Sequence, residues 1–112
     1  MTRPNRLLIV ETNQERRNEM TRHFLNAGFQ VTPVRHPRQA LEASTFKHFD
    51  AAVLSDQLPE ITAPELARRL RQNVSGLRPV LVSSDESEWD EVELELTEMN
   101  PRDFDEIAVA SR

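Results

Sequence analysis

The groups able to do chemistry in this chain are hydroxyls, carboxylates, three histidines and many arginines. There is no cysteine, which removes thiol nucleophiles, cysteine-ligated zinc and any disulfide framework. His23, His36 and His48 follow no metal-ligand spacing, and surface or helix-cap roles are expected of them. The two glycines, Gly28 and Gly76, are too far apart to form a phosphate-cradling loop. Of the fourteen basic residues thirteen are arginine; Lys47 is the sole lysine, and there is no tyrosine. Arg68, Arg69, Arg71 and Arg78 gather around one segment, where a solvated face is expected and docking to an acidic partner is the second reading. Eight acidic residues fall between Asp85 and Glu98, around Trp89, and such a run is ordinarily a solvated helix face.

The 112 residues suit one compact domain spanning 1–112, and the 38% apolar and 29% charged content is that of a globular chain. The net charge of −5 argues against nucleic acid or an anionic membrane as partner. Neither a secretory signal nor a bilayer-spanning run is present, so a cytoplasmic protein is expected.

Three apolar runs read as strands. Leu7–Val10 stops at Glu11-Thr12-Asn13, Ala51–Leu54 stops at Ser55-Asp56, and Val80–Val82 follows the Gly76 turn and Pro79. Runs apolar on both faces belong in the middle of a parallel sheet. Phe29–Val34 is a further strand, placed at an edge by Pro33, which has no amide to donate. Between them run helical patterns. Thr12 or Asn13 caps one that ends at Gly28, with Arg17, Met20, Phe24 and Ala27 on one face. A second opens at His36-Pro37, with Ala40, Leu41 and Ser44 inward. A third has capping-box spacing from Thr62 to Glu65 and a stripe of Ala63, Leu66, Ala67 and Leu70. Alternating strands and helices predict βαβ units with right-handed crossovers. The last quarter admits two readings. Trp89, Val92, Leu96 and Met99 share a helical face, followed by a strand at Ile107–Ala110; alternatively, Val92, Leu94 and Leu96 alternate as a strand in 92–99. The helix is favoured, because Glu is a good helix former and Asn100-Pro101 makes a stop.

The segment from Asp50 to Arg71 resembles the third strand, loop and third helix of bacterial response-regulator receiver (CheY-like) domains. Leu7–Glu11 resembles their first strand with its acidic end, Ala27–Val31 the passage into strand two, and Pro79–Ser84 strand four. The resemblance covers about residues 5 to 85 and implies an α/β, flavodoxin-like three-layer sandwich. Its five-stranded parallel sheet has the order 2-1-3-4-5, with ligands bound beyond the carboxyl ends of the strands. The C-terminal helix is expected to be missing or short, leaving one sheet face partly bare.

Such domains accept a phosphoryl group on an aspartate. An acidic pair and the acceptor hold Mg²⁺, while a hydroxyl and a lysine hold the phosphoryl oxygens. On this chain the acidic pair falls on Glu11 and Thr12, the acceptor on Ser55 and the hydroxyl on Ser84. The lysine is lost, because Lys47 precedes strand three at the far end of the sheet, and Ile107 falls at the aromatic switch position. Nothing near Ser55 activates its hydroxyl. A one-residue slip would make Asp56 the acceptor, with Glu11 and Asp56 as the only metal candidates; otherwise Asp56 is a solvated loop acid. Glu11 is expected to accept hydrogen bonds from Ser84 or loop amides.

The implied function is that of a pseudo-receiver: a non-enzymatic signalling module without a cofactor, independent of aspartate phosphorylation. It would bind other signalling proteins, or a second copy of itself, through Trp89, Glu91, Glu95 and Glu98. The alternatives are a phospho-acceptor using Asp56 with Mg²⁺, and a small-molecule-binding domain using the vacated pocket.

Overall fold

The computed structural model describes residues 5–83, 85–98 and 108–109. The apolar runs become β1 (Arg6–Val10), β3 (Ala51–Ser55) and β4 (Arg78–Val82), each buried along nearly its whole length. A parallel strand covered on both faces by helices must be apolar on both. β2 (Gln30–Val34) is only half-buried and forms one edge, and β5 (Ala108–Val109) forms the other. All pairings are parallel in the order β2-β1-β3-β4-β5, the order expected from the sequence. Pro33, opposite Ile9 in β2, sits on the edge strand where a missing donor is tolerated.

Local chemistry starts and stops the helices. α1 (Gln14–Asn26) begins where the Asn13 side chain accepts from the Arg16 amide at 2.9 Å. It ends in a left-handed turn at Gly28, φ 98°, where the Gly28 amide donates to the Leu25 carbonyl and the Phe29 amide to that of Phe24. A Cβ at Gly28 would meet nothing within 4 Å, so glycine serves here for its backbone angle. α2 (Pro37–Phe46) is capped by His36, whose Nδ1 accepts from the Arg38 amide while Gln39 accepts from the His36 amide. The cap role expected among the histidines therefore falls to His36. α3 (Ala63–Asn73) is capped by Thr62 alone. The Glu65 carboxylate turns to Arg68 and Arg69 instead of completing a capping box.

α4 (Trp89–Glu98) resolves the ambiguous last quarter. A strand would place Val92, Leu94 and Leu96 on one side. Instead Val92 and Leu96 are fully buried while Leu94 is 56% exposed, the spacing of a helix.

The core has two halves. Met20 and Phe24 of α1 and Trp89, Val92 and Leu96 of α4 pack on Leu7, Ile9, Ala51, Val53, Val80 and Val82. On the other face, Ala40 of α2 and the α3 stripe pack on Leu8, Val10, Ala52, Leu54 and Leu81. This arrangement corrects one sequence expectation. From β1 to β2 the chain moves one way across the sheet with α1 on one face. From β2 to β3 and β3 to β4 it moves the other way, with α2 and α3 on the opposite face, so the hand is the same. From β4 to β5 it moves again in that second direction, but α4 lies on the α1 face. The fourth crossover thus has the opposite hand to the other three, against a strong general preference for one hand. A second consequence follows: the α1 face is covered by two helices, and the open side of the sheet lies beside α3, where Leu81 lines a cavity.

At the amino ends of the strands, Asp50 accepts from the Asn5 and Arg6 amides at 3.0 and 2.9 Å, with His48 at 3.3 Å. Partial burial alone would raise this carboxyl. The Arg6 and Asn5 amides, with His48, outweigh that and hold it below its ordinary value of 3.8. The stability Asp50 adds is therefore present above pH 4 and lost as pH falls through its depressed folded value. Asp50→Asn should cost about 0.5–1 kcal/mol at neutral pH, a modest figure because solvent screens the group. Urea titrations of both proteins from pH 7 downward should show that difference shrinking toward zero below pH 4; a constant difference would contradict the assignment.

Candidate functional site at the carboxyl ends of the strands

The register sets the carboxyl ends level: Val10 pairs with Val34 and Leu54, and Ser55 with Val82. Strand alternation then decides which face each site residue serves. Leu7 and Ile9 face α1, so Glu11 continues on that side; Ala51 and Val53 face α1, so Ser55 does too. Asp56 falls on the α3 side. It is exposed and lines a cavity of about 520 Å³ with Leu58, Ile61, Thr62, Ala63 and Leu81. The two metal candidates, Glu11 and Asp56, thus belong to opposite faces of the sheet.

Glu11 is 2% exposed, and both its carboxylate oxygens are committed. Oε2 accepts from the Asn13 amide at 2.9 Å, and Oε1 accepts from Arg16 Nε at 3.1 Å. The guanidinium goes further: Nη1 donates to the Glu86 carbonyl at 2.8 Å and Nη2 to the Ser83 carbonyl at 3.1 Å. Its Cζ lies over the Trp89 ring, 5.2 Å from the centroid. Arg16 therefore brings one positive charge, three directed donors and a stacking surface into the acidic pocket. Asp85 nearby is held below the usual carboxylate range, first by the Ser83 hydroxyl and also by the Arg16 charge.

The remaining predicted positions divide. Ser55 is fully buried, and its Oγ accepts from the Gln57 amide at 3.3 Å. Thr12 is exposed and donates to the Gln57 carbonyl at 3.4 Å. Glu11 does accept a loop amide; Ser84 and Ile107 lie outside the described residues. Lys47 lines a groove with Arg6, Gln30 and Phe49 at the amino ends of the strands, the end opposite this pocket. Trp89 corrects a further expectation. It is 5% exposed in this chain's own core, with Nε1 donating to Glu19 at 2.8 Å, so it anchors α4 internally rather than presenting a surface. Glu91 is exposed and Glu95 intermediate, while the side chain of Glu98 lies outside the described residues.

Arg16 is the pocket residue that the sequence alone did not single out. The signal was its place in the first turn of α1, where the helix dipole disfavours a cation unless an anion compensates.

No protein-family model and no curated protein sequence matches the chain. Solved structures do. A CheY-like receiver domain from Methylobacillus flagellatus is 25% identical, with 84% of this chain and 81% of that one covered and a TM-score of 0.67. The chemotaxis response regulator CheY4 of Vibrio cholerae is 17% identical, over 89% and 92% of the chains, with a TM-score of 0.66. This is the receiver-domain fold. A third similar structure, the response regulator TrrA of Thermotoga maritima in complex with Mg²⁺ and a beryllium fluoride, is 17% identical over 96% and 87%, with a TM-score of 0.68. That protein holds a divalent cation; here a guanidinium pairs with the buried Glu11 carboxylate at the carboxyl end of β1.

A Mg²⁺ ion at Glu11 would have to displace the Arg16 guanidinium from the carboxylate. Saturating ligand at a hundredfold excess over Kd stabilises a fold by about 2.7 kcal/mol. Millimolar Mg²⁺ should therefore leave the melting temperature unchanged, and a rise of several degrees would contradict this account. Arg16→Met should cost about 2–4 kcal/mol, because it leaves the buried Glu11 carboxylate without its counter-charge. Glu11→Gln with Arg16→Met should recover part of that loss in chemical denaturation.

Proposed function

We propose that the chain is a degenerate receiver: a signalling module that works through protein–protein contact and does not take a phosphoryl group on aspartate. The observation that carries this reading is the Arg16–Glu11 pair. Phosphoryl transfer needs a divalent cation and a lysine against the phosphoryl oxygens. Here the cation in the pocket is part of the chain, the acceptor position is a buried serine, and the sole lysine lies at the other end of the sheet. The module needs no cofactor for this role and performs no catalysis. Its partners are other signalling proteins or a second copy of the chain, rather than nucleic acid or membrane. No helix among the described residues is long and apolar enough to cross a membrane.

The contact surface in this reading is the outer face of α4. Leu94 is 56% exposed between Glu91 and Glu95, an apolar centre with an acidic rim. Rim charges set encounter rate and salt dependence, while an apolar centre supplies most of the affinity.

Incubation with acetyl phosphate and Mg²⁺ should leave the intact mass and the amide spectrum unchanged. Addition of one phosphoryl group that is labile to hydroxylamine and absent in Asp56→Asn would overturn the reading in favour of an Asp56 phospho-acceptor. Charge reversal at Glu91 and Glu95, or Leu94→Asp, should weaken binding to partners captured from the native host by at least tenfold, with Asp56→Ala neutral. If Asp56→Ala abolishes binding and the α4 variants do not, the cavity beside α3 is the working site instead.

A further inference from the structure

His23, in the last turn of α1, faces two carboxylates of α4. Its Nε2 lies 3.1 Å from Glu93 Oε1 and 3.6 Å from Asp90 Oδ1, and the three ligand atoms lie within 4.8 Å of one another. We propose that this trio is a binding site for one borderline divalent cation of the Zn²⁺ type, fastening α4 to α1.

Two of the three ligand-atom separations already lie close to what such an ion needs. Zn²⁺ takes imidazole nitrogen and carboxylate oxygen at about 2.0–2.2 Å in tetrahedral array, which sets ligand atoms about 3.3–3.6 Å apart by simple trigonometry from those bond lengths. The two observed separations fall around that range. Asp90 and Glu93 are three residues apart on α4 and so lie on the same side of the helix. His23 comes from the facing helix, and its ring stands edge-on to Phe24 at 5.0 Å and 85°, a contact that limits its swing. The side chains of His23 and Glu93 are 24% and 29% exposed, and that of Asp90 is 90% exposed on the outer side. A neutral imidazole with two carboxylates carries a charge of −2, which a divalent cation cancels. Glu91 and Glu95, on the same helix, deepen the negative potential around it. The nitrogen ligand selects a Zn²⁺-like ion over Mg²⁺, which prefers an all-oxygen octahedral shell. Three protein ligands leave a fourth position for water.

The consequence is structural. α4 makes the one crossover of opposite hand, and it also bears the surface proposed above for partner contact. A cation held between His23 and α4 joins the carboxyl-terminal turn of α1 to the first two turns of α4, at the opposite end of α1 from the Arg16 clamp. The site itself does not depend on whether the domain accepts phosphate.

The test is titration of the full chain with Zn²⁺, read by calorimetry and by thermal melting, with Co²⁺ absorbance reporting coordination geometry and Mg²⁺ as control. One equivalent of Zn²⁺ should bind in the micromolar range and raise the melting temperature by several degrees, and Mg²⁺ should not compete. His23→Gln and Glu93→Gln should each weaken binding at least tenfold, while His48→Gln should leave it unchanged. Asp90→Asn, at a side chain too exposed to threaten folding, should weaken it at least threefold and covers the case in which a His23 variant fails to fold. Absence of saturable Zn²⁺ binding, equal binding in Asp90→Asn, or loss of binding in His48→Gln would each overturn the proposal and leave the trio an ion pair.

Discussion

A carboxylate buried at the end of a central strand must be neutralised, and here Arg16 neutralises it. Glu11 is placed by the register of β1, and its burial makes an uncompensated charge costly by several kcal/mol. The Arg16 side chain answers that charge and simultaneously takes up the carbonyls of Ser83 and Glu86 in the segment after β4. One residue thus joins the end of β1, the first turn of α1 and the chain that leads into α4. Stacking on Trp89 extends the connection to the first residue of α4 itself. Such a group satisfies backbone acceptors that would otherwise need water, and it fixes the geometry through a planar fork that lysine cannot provide.

That clamp bears on the unusual path of the chain. A crossover of the ordinary hand would carry the segment after β4 to the α3 face. The segment after β4 runs instead to the α1 face, where Arg16 bonds the carbonyls of Ser83 and Glu86, and Trp89, Val92 and Leu96 are buried beside Met20 and Phe24. Each such side chain is worth about 1.5–3 kcal/mol when fully buried. The face that α4 leaves is the one where Leu81, Asp56 and the start of α3 border an open cavity. The cation that pairs with Glu11 is also the one that bonds the segment leading into α4.

The sequence disclosed the parts governed by local rules. Apolar runs gave the central strands, Pro33 marked the edge, and His36-Pro37 and Gly28 marked helix ends, all without tertiary knowledge. The loss of the lysine was equally plain, since only one lysine exists to place. What stayed hidden depends on partners distant in sequence. Arg16 reads as one more surface arginine until Ser83 and Glu86, nearly seventy residues on, are folded against it. Trp89 in an acidic run reads as an exposed anchor because its cover, α1, is equally remote. His23 shows no ligand spacing because its carboxylates lie on another helix. The hand of a crossover has no local signature at all, so the general preference was the only guide and it pointed the wrong way.

The central claim is that the guanidinium of Arg16 permanently occupies the receiver pocket in place of a metal. The most direct test is to follow the Arg16 Nε–Hε resonance by ¹H–¹⁵N NMR while Mg²⁺, and then beryllofluoride, are added. The expected result is a signal protected from solvent exchange and unmoved by either addition, as a side chain held by Glu11, Ser83 and Glu86 should be. A saturable shift, or onset of fast exchange as Mg²⁺ rises, would mean that the cation displaces Arg16 and that the pocket still binds metal.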